Sequence, residues 1–330
     1  MEMNKISSDT QKSMKTRIIT AIVMALVVLP CVIFGDWFFV AIVFVIIGVG
    51  LYEVLKSTGK KYPLVLKILM YIFTYSFVFW VFFQKDSSVQ NQAATYIVET
   101  GTFLMYDIRI STMGVGFLIA ILFLSSIVSQ KTDIQDIFYL FSMSLFLGFA
   151  GQSILFLRFC PDALSPDEFN YTSRYSTCLL IFFIACGTML NDIFAYFTGV
   201  LFGKHKMAPV ISPKKTWEGF VGGLIFSTIL TSTFAFICDG VFSTPVLKGI
   251  IDIEHWYYII IISLILGLAS VLGDLMFSSI KRYYNIKDFG NILPGHGGIL
   301  DRFDSILMTS TLTAILITFI YYNPIFGVIS

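Results

Sequence analysis

Between residues 278 and 304 the chain reads SSIKRYYNIKDFGNILPGHGGILDRFD, a polar island in otherwise apolar sequence. Lys281, Arg282, Lys287 and Arg302 stand among Asp288, Asp301 and Asp304, with His296 and the glycines Gly295, Gly297 and Gly298 between them. Cations, carboxylates and a pliable backbone turn are what a polyanionic substrate and a divalent metal require together. The segment PGHGG (294–298) can turn its backbone amides inward as an anion-binding nest. His296 within it reads as a phosphate donor, as a general acid or simply as a turn residue. Asp301 and Asp304, three apart, share one helical face. The dipole of a helix start readily favours one such acid and explains two beside Arg302 less well.

The surrounding sequence says what holds this chemistry. Of 330 residues, 56% are hydrophobic and 13% charged, against about 25% charged in a soluble domain. With a mean hydropathy of +0.82, most of the surface must meet lipid. A net charge of +1 supplies no global field, so no nucleic-acid partner is expected. The cysteines show no metal- or disulfide-like spacing and read as small buried hydrophobes. A membrane-spanning helix needs about 20 mostly apolar residues, and that measure predicts about nine of them. They are 18–35, 37–55, 64–83, 111–129, 136–157, 177–201, 219–238, 256–280 and 305–322. The expected fold is therefore an all-α, polytopic integral membrane protein. Residues 1–176 carry the N-terminal membrane helices and 177–330 the catalytic membrane domain. Segments 84–102 and 158–176 read as polar loops, and Gly35-Asp36 as a tight hairpin.

Lysine and arginine bias sets orientation. Lys5, Lys12, Lys15 and Arg17 precede the first span, and Lys56, Lys60, Lys61 and Lys67 follow or flank the second span's end. Lys204, Lys206, Lys214 and Lys215 follow the sixth span, and Lys281, Arg282, Lys287 and Arg302 the eighth. Alternate loops agree on a cytoplasmic N-terminus and an external C-terminus. The basic loops 202–218 and 281–304 then face the cytoplasm together.

Asp274 and Asp192 are carboxylates inside the eighth and sixth predicted spans. Asp274 lies about six residues, or about 9 Å, from the cytoplasmic end of the eighth span. On insertion scales a carboxylate there costs about 2.5–3.5 kcal/mol. It reads as a structural acid paired with a neighbouring cation or, better, as a metal ligand facing a wet cavity. Gly267, Ser270, Ser278 and Lys281 share its helical face. Asp192 adjoins a small-residue stripe, Gly187, Asn191, Ala195, Gly199 and Gly203, suited to close helix contact. It reads as a second metal ligand or as an interhelical hydrogen-bond acceptor. In ISPKKTWEGFVGG (211–223), Ser212 before Pro213 predicts a helix start, with Lys214 and Lys215 in its first turn. These lysines are either positive-inside anchors or phosphate ligands.

Ser278, Ile280-Lys281-Arg282, Lys287-Asp288, Gly290, Leu293-Pro294, His296-Gly297-Gly298-Ile299 and Asp301-Arg302-Phe303-Asp304 together resemble the signature of the phosphatidate cytidylyltransferases. Residues 191–223 are similar to a second block shared by that family, and the N-terminal half resembles it by hydropathy alone. The tail and the FGKHK segment look bacterial. The resemblance implies CTP plus phosphatidate giving CDP-diacylglycerol and pyrophosphate, with Mg2+ and room for a second metal ion. A phosphatidate phosphate needs little help from a base, so catalysis must come from charge neutralisation and alignment. On that footing Asp274 and Asp301 hold metal, with Asp304 or Asp192 assisting. Lys281, Arg282, Lys287 and Arg302 bind phosphates, with Ser278 and His296 as further phosphate contacts. Gly297 and Gly298 let backbone approach, and Lys214 and Lys215 meet the lipid phosphate or the triphosphate tail. Partners would be CTP, phosphatidate and bilayer lipid, with a homodimer left open. The location would be a bacterial cell membrane with a cytoplasm-facing site, or the endoplasmic reticulum membrane in a eukaryote. A CTP-dependent lipid kinase and an ion-coupled transporter are the rival readings.

Overall fold

A computed structural model describes residues 8–84, 133–159 and 171–322. Among them are eight long helices: α1 (Ser8–Phe34), α2 (Asp36–Ser57), α3 (Leu64–Gln84), α4 (Ile134–Phe159), α5 (Tyr171–Phe202), α6 (Trp217–Gly240), α7 (Trp256–Tyr283) and α8 (Leu300–Tyr322). Seven are long and apolar enough to cross a bilayer. The chain is thus an all-α, polytopic membrane protein. The fourth predicted span, 111–129, lies outside the described residues. α3 and α4, on either side of it, run parallel. Thr74 Oγ1 donates to Ser144 O, while Gly148 lies against Phe77 and Gly151 against Val78.

One expectation fails. Ser212 does not cap a helix: Ser212–Thr216 is a strand (β2), paired antiparallel with Lys206–Ala208 (β1). The cap is Thr216, whose Oγ1 accepts the Gly219 N–H at 3.1 Å. Trp217 N–H donates to His205 O at 3.0 Å and closes the ribbon. The local Ser-Pro signal yields because the basic loop finds its hydrogen bonds across the ribbon. Strand alternation then separates the two lysines, Lys215 turning inward and Lys214 staying exposed.

Helices pack through small residues, as they must where lipid supplies no hydrophobic drive. A Cβ on Gly219 would sit 2.7 Å from Ala195 O and 3.1 Å from Gly199 Cα; one on Gly223 would sit 2.7 Å from Ala195 Cβ. The stripe predicted on α5 is therefore its contact with α6. A Cβ on Gly273 of α7 would lie 2.9 Å from Asp304 O, so α7 and α8 touch at the level of the acids. The N-terminal helices are not a separate body. Ile47, Leu51 and Val54 of α2 and Leu140 and Leu147 of α4 share one core with Phe277, Phe289, Leu300 and Leu307. Lys60 after α2 pairs with Asp133 at 2.6 Å and Asp136 at 2.5 Å, contacts that raise its ammonium above the ordinary range. They tie the α2–α3 turn to the start of α4.

Candidate active site

One end of the bundle collects the polar chemistry. α7 brings Ser270, Asp274 and Ser278 onto one face, and α5 and α8 set Asp192 and Asp304 beside it. Ser270 Oγ donates to Asp192 Oδ1 at 3.3 Å, and Ser278 Oγ donates to Asp274 Oδ1 at 3.1 Å. Lys215 Nζ reaches from the ribbon to within 2.7 Å of Asp274 Oδ2. Asp304 is buried, its Oδ1 accepting the Ser305 N–H at 2.6 Å. Asp192, Asp274 and Asp304 lie close enough to repel one another. Among the described residues neither Asp192 nor Asp304 has an ion-pair partner, so three acids share one lysine at ion-pair distance.

Asp301 is placed differently. Its side chain is 3% exposed and that of Lys281 12%, and Lys281 Nζ donates to Oδ1 at 2.8 Å. Its Oδ2 accepts the Phe289 N–H at 2.8 Å and the Gly298 N–H at 2.9 Å. Oδ2 thus folds the loop 287–298 back onto α8, while Oδ1 ties α8 to α7 through Lys281. The glycine turn itself needs left-handed backbone, with φ of 75° at Gly295 and 88° at Gly297, which a side chain would strain. Lys281 also lies over the Phe289 ring, 5.7 Å from its centroid.

Beyond that pair lies an open cavity of about 600 Å3, lined in part by Arg17, Lys287, Asn291, His296, Gly297 and Arg302. That volume is in the range of small-molecule sites. Arg302 Nε donates to His296 O at 2.9 Å. His296 Nδ1 is buried without a hydrogen-bond partner. Arg282 stands apart, its Nε donating to Ile211 O at 3.2 Å, and Lys214 is exposed on the ribbon.

The sequence reading missed two contributors. Arg17 was counted as an orientation charge, yet its side chain packs on Gly295 and lines the cavity, while Thr20 Oγ1 donates to Pro294 O at 2.9 Å. Glu53 of α2, fully buried, accepts the N–H groups of Ile299 and Leu300 at 2.9 Å each. A carboxylate inside an apolar run was the available signal.

The donor set suits a hard divalent cation, which prefers carboxylate oxygens. Among the described residues, however, no three His, Cys, Asp or Glu side chains stand together as a ready metal site. The arrangement offers concentrated negative charge along α7 and, at the glycine turn, a cavity lined by the cations Arg17, Lys287 and Arg302 together with Asp288.

A phosphatidate cytidylyltransferase of Bacillus subtilis is 28% identical over 297 residues, covering 89% of this chain and 94% of that protein. Proteins of the same name from Staphylococcus saprophyticus and Staphylococcus haemolyticus are 44% and 42% identical over 147 residues, 44% of this chain and 52% of theirs. Those two matches span about half of the relatives' length. The sequence model of the cytidylyltransferase family matches residues 15–320, taking in Arg17 and Glu53 as well as the polar island, and the chain belongs to that family.

Proposed function

We propose that the protein is a phosphatidate cytidylyltransferase. The lipid phosphate oxygen attacks the α-phosphorus of CTP; the bond from that phosphorus to the bridging oxygen breaks, and pyrophosphate leaves. The observation that carries this reading is that the loop whose residues Lys287, His296, Gly297 and Arg302 line the cavity is tied through Asp301 to Lys281 of α7, the helix that also carries Asp274 next to Asp304 and Asp192. Two negatively charged reactants can meet only where their charge is neutralised and their approach fixed. Apolar helices on either side would keep the acyl chains in lipid while CTP enters from the cytoplasm.

Asp274 would hold Mg2+, with Asp304 and Asp192 having to close in around it because the three do not stand as a ready site; when bound the ion supplies positive charge to the triphosphate and to the leaving pyrophosphate. Lys215 pairs with Asp274 and would compete with such an ion for it, and Asp301 would have to exchange Lys281 to ligate it. Arg302, Lys287 and His296 receive phosphate oxygens at the cavity wall, and Ser278 orients Asp274. Lys281, already desolvated against Asp301 and Phe289, adds a fixed positive charge between the acids and the cavity. Lys214 and Arg282 flank the approach on the basic face.

The test is incubation of the purified protein with labelled CTP, phosphatidate and magnesium. CDP-diacylglycerol and pyrophosphate are the expected products. CDP with a phosphorylated lipid alcohol would instead identify a kinase, and absence of any product from folded protein would sink the assignment.

A further inference from the structure

Glu53 belongs to α2, far from the polar island in sequence, and none of its surface is exposed. Among the described residues no lysine or arginine stands at ion-pair distance from it. A carboxylate buried in a membrane helix without a cation needs other compensation. Its compensation is the start of α8. Oε1 accepts the Ile299 N–H at 2.9 Å and Oε2 the Leu300 N–H at 2.9 Å, across 246 and 247 positions of sequence. These are among the N–H groups that the first turn of any helix leaves unpaired, at the end where its dipole favours an anion. A cap usually comes from the residue before the helix; here another helix delivers it.

The space around the carboxylate is cut to fit. A Cβ on Gly298 would lie 2.5 Å from Oε1 and 2.6 Å from Oε2. One on Gly290 would lie 2.5 Å from Oε1 and 3.3 Å from Cγ. Neither glycine has the positive φ that would otherwise demand it. Both therefore read as clearance for Glu53, one on each arm of the loop that lines the cationic cavity.

What Glu53 holds is next to what Asp301 holds. Asp301 takes the N–H groups of Phe289 and Gly298 and the ammonium of Lys281. The two acids grip adjacent amides, Gly298 by one and Ile299 and Leu300 by the other. We propose that Glu53 is a positioning residue of the phosphate-binding turn. From the N-terminal half it fixes the register between α8 and the loop 287–298, so that Lys287, His296 and Arg302 face one triphosphate together. This rests on the reading of that loop as the CTP phosphate site. The C-terminal half is then not a self-sufficient catalytic unit.

The experiment compares wild type with Glu53→Gln, Glu53→Ala, Gly290→Ala and the double variant Glu53→Ala/Gly290→Ala, purified in detergent. Gln keeps the shape but turns an NH2 donor toward one of the two N–H groups, so one contact is lost. Equilibrium CTP binding, kcat, KM for CTP and thermal unfolding are measured for each. Glu53→Gln should unfold within a few degrees of wild type. Its CTP affinity should weaken about tenfold and its kcat/KM fall between about tenfold and a hundredfold, the range for residues that orient direct ligands. Gly290→Ala, whose methyl displaces the carboxylate, should show the same pattern. In the double variant the alanine at 290 should add nothing, because the side chain it would strike is gone.

Wild-type CTP binding in folded Glu53→Gln or in Gly290→Ala overturns the proposal. So do multiplicative losses in the double variant, and so does a lowered unfolding temperature with unchanged KM, the mark of a cap that serves stability alone. If the Glu53 variants do not fold, the Gly290→Ala binding comparison decides by the same criterion. CTP binding needs no turnover, so an inactive wild type would count against the reaction assignment without touching this comparison.

Discussion

Replacing Lys215 by Met should lower the magnesium concentration needed for activity while weakening substrate binding. The ammonium lies 2.7 Å from Asp274 Oδ2, with the two side chains 23% and 34% exposed. At an effective dielectric of about 20, unit charges at that distance attract by about 6 kcal/mol. Both groups keep part of their hydration, and solvated pairs fall toward about 0–1 kcal/mol net. A hold of about 1–2 kcal/mol on Asp274 is a reasonable middle. A divalent cation seeking that carboxylate must overcome it, so its removal should cut the half-saturating magnesium concentration by roughly fivefold to thirtyfold. Met preserves the length and the apolar stem. The assay is initial rate against free magnesium at saturating CTP and phosphatidate, corrected for metal chelated by CTP. An unchanged magnesium requirement would mean that Lys215 and the metal do not compete. A higher one would mean that Lys215 supports the metal site, and either result refutes the reasoning.

Asp301→Asn should lower stability by about 3 kcal/mol as well as activity, because three donors converge on a buried carboxylate and an amide cannot accept from all of them. Asp274→Asn should remove activity at any magnesium concentration with little change in unfolding temperature; the reverse ranking in thermal denaturation would contradict the assigned roles. Gly223→Leu places atoms where Ala195 and the backbone of α5 already stand, so it should cost about 1–3 kcal/mol and misalign Asp192 with Asp274. Wild-type stability in that variant would mean the α5–α6 contact is looser than described. In a background lacking the native cysteines, Ile292→Cys should react with a membrane-impermeant thiol reagent from the cytoplasmic side and Phe242→Cys from the outside; the opposite pattern would invert the route proposed for CTP.

Some of this protein was determined by sequence alone, because the cause is local. The spans follow from runs of about 20 apolar residues, and the helices found over 8–57, 134–159 and 217–322 meet those predictions with shifts at their ends. The polar island pointed to a polyanionic substrate because cations, carboxylates and glycines lie within a single stretch. The stripe on α5 pointed to a close helix contact because its spacing repeats every four residues. Tertiary structure decided the rest, wherever a group's partner lies far along the chain. Ser212-Pro213 is a good local helix start, overruled because the basic loop pairs with Lys206–Ala208. Asp301 looked like Asp304 in sequence, but Lys281, Phe289 and Gly298 converge on one and Ser305 meets the other. Arg17 and Glu53 carried no motif at all. Arg17 acts on the glycine turn through α1 lying against Pro294 and Gly295, and Glu53 through α2 reaching the start of α8. Hydropathy reports which segments enter the membrane; which faces meet there depends on the packing of the whole bundle.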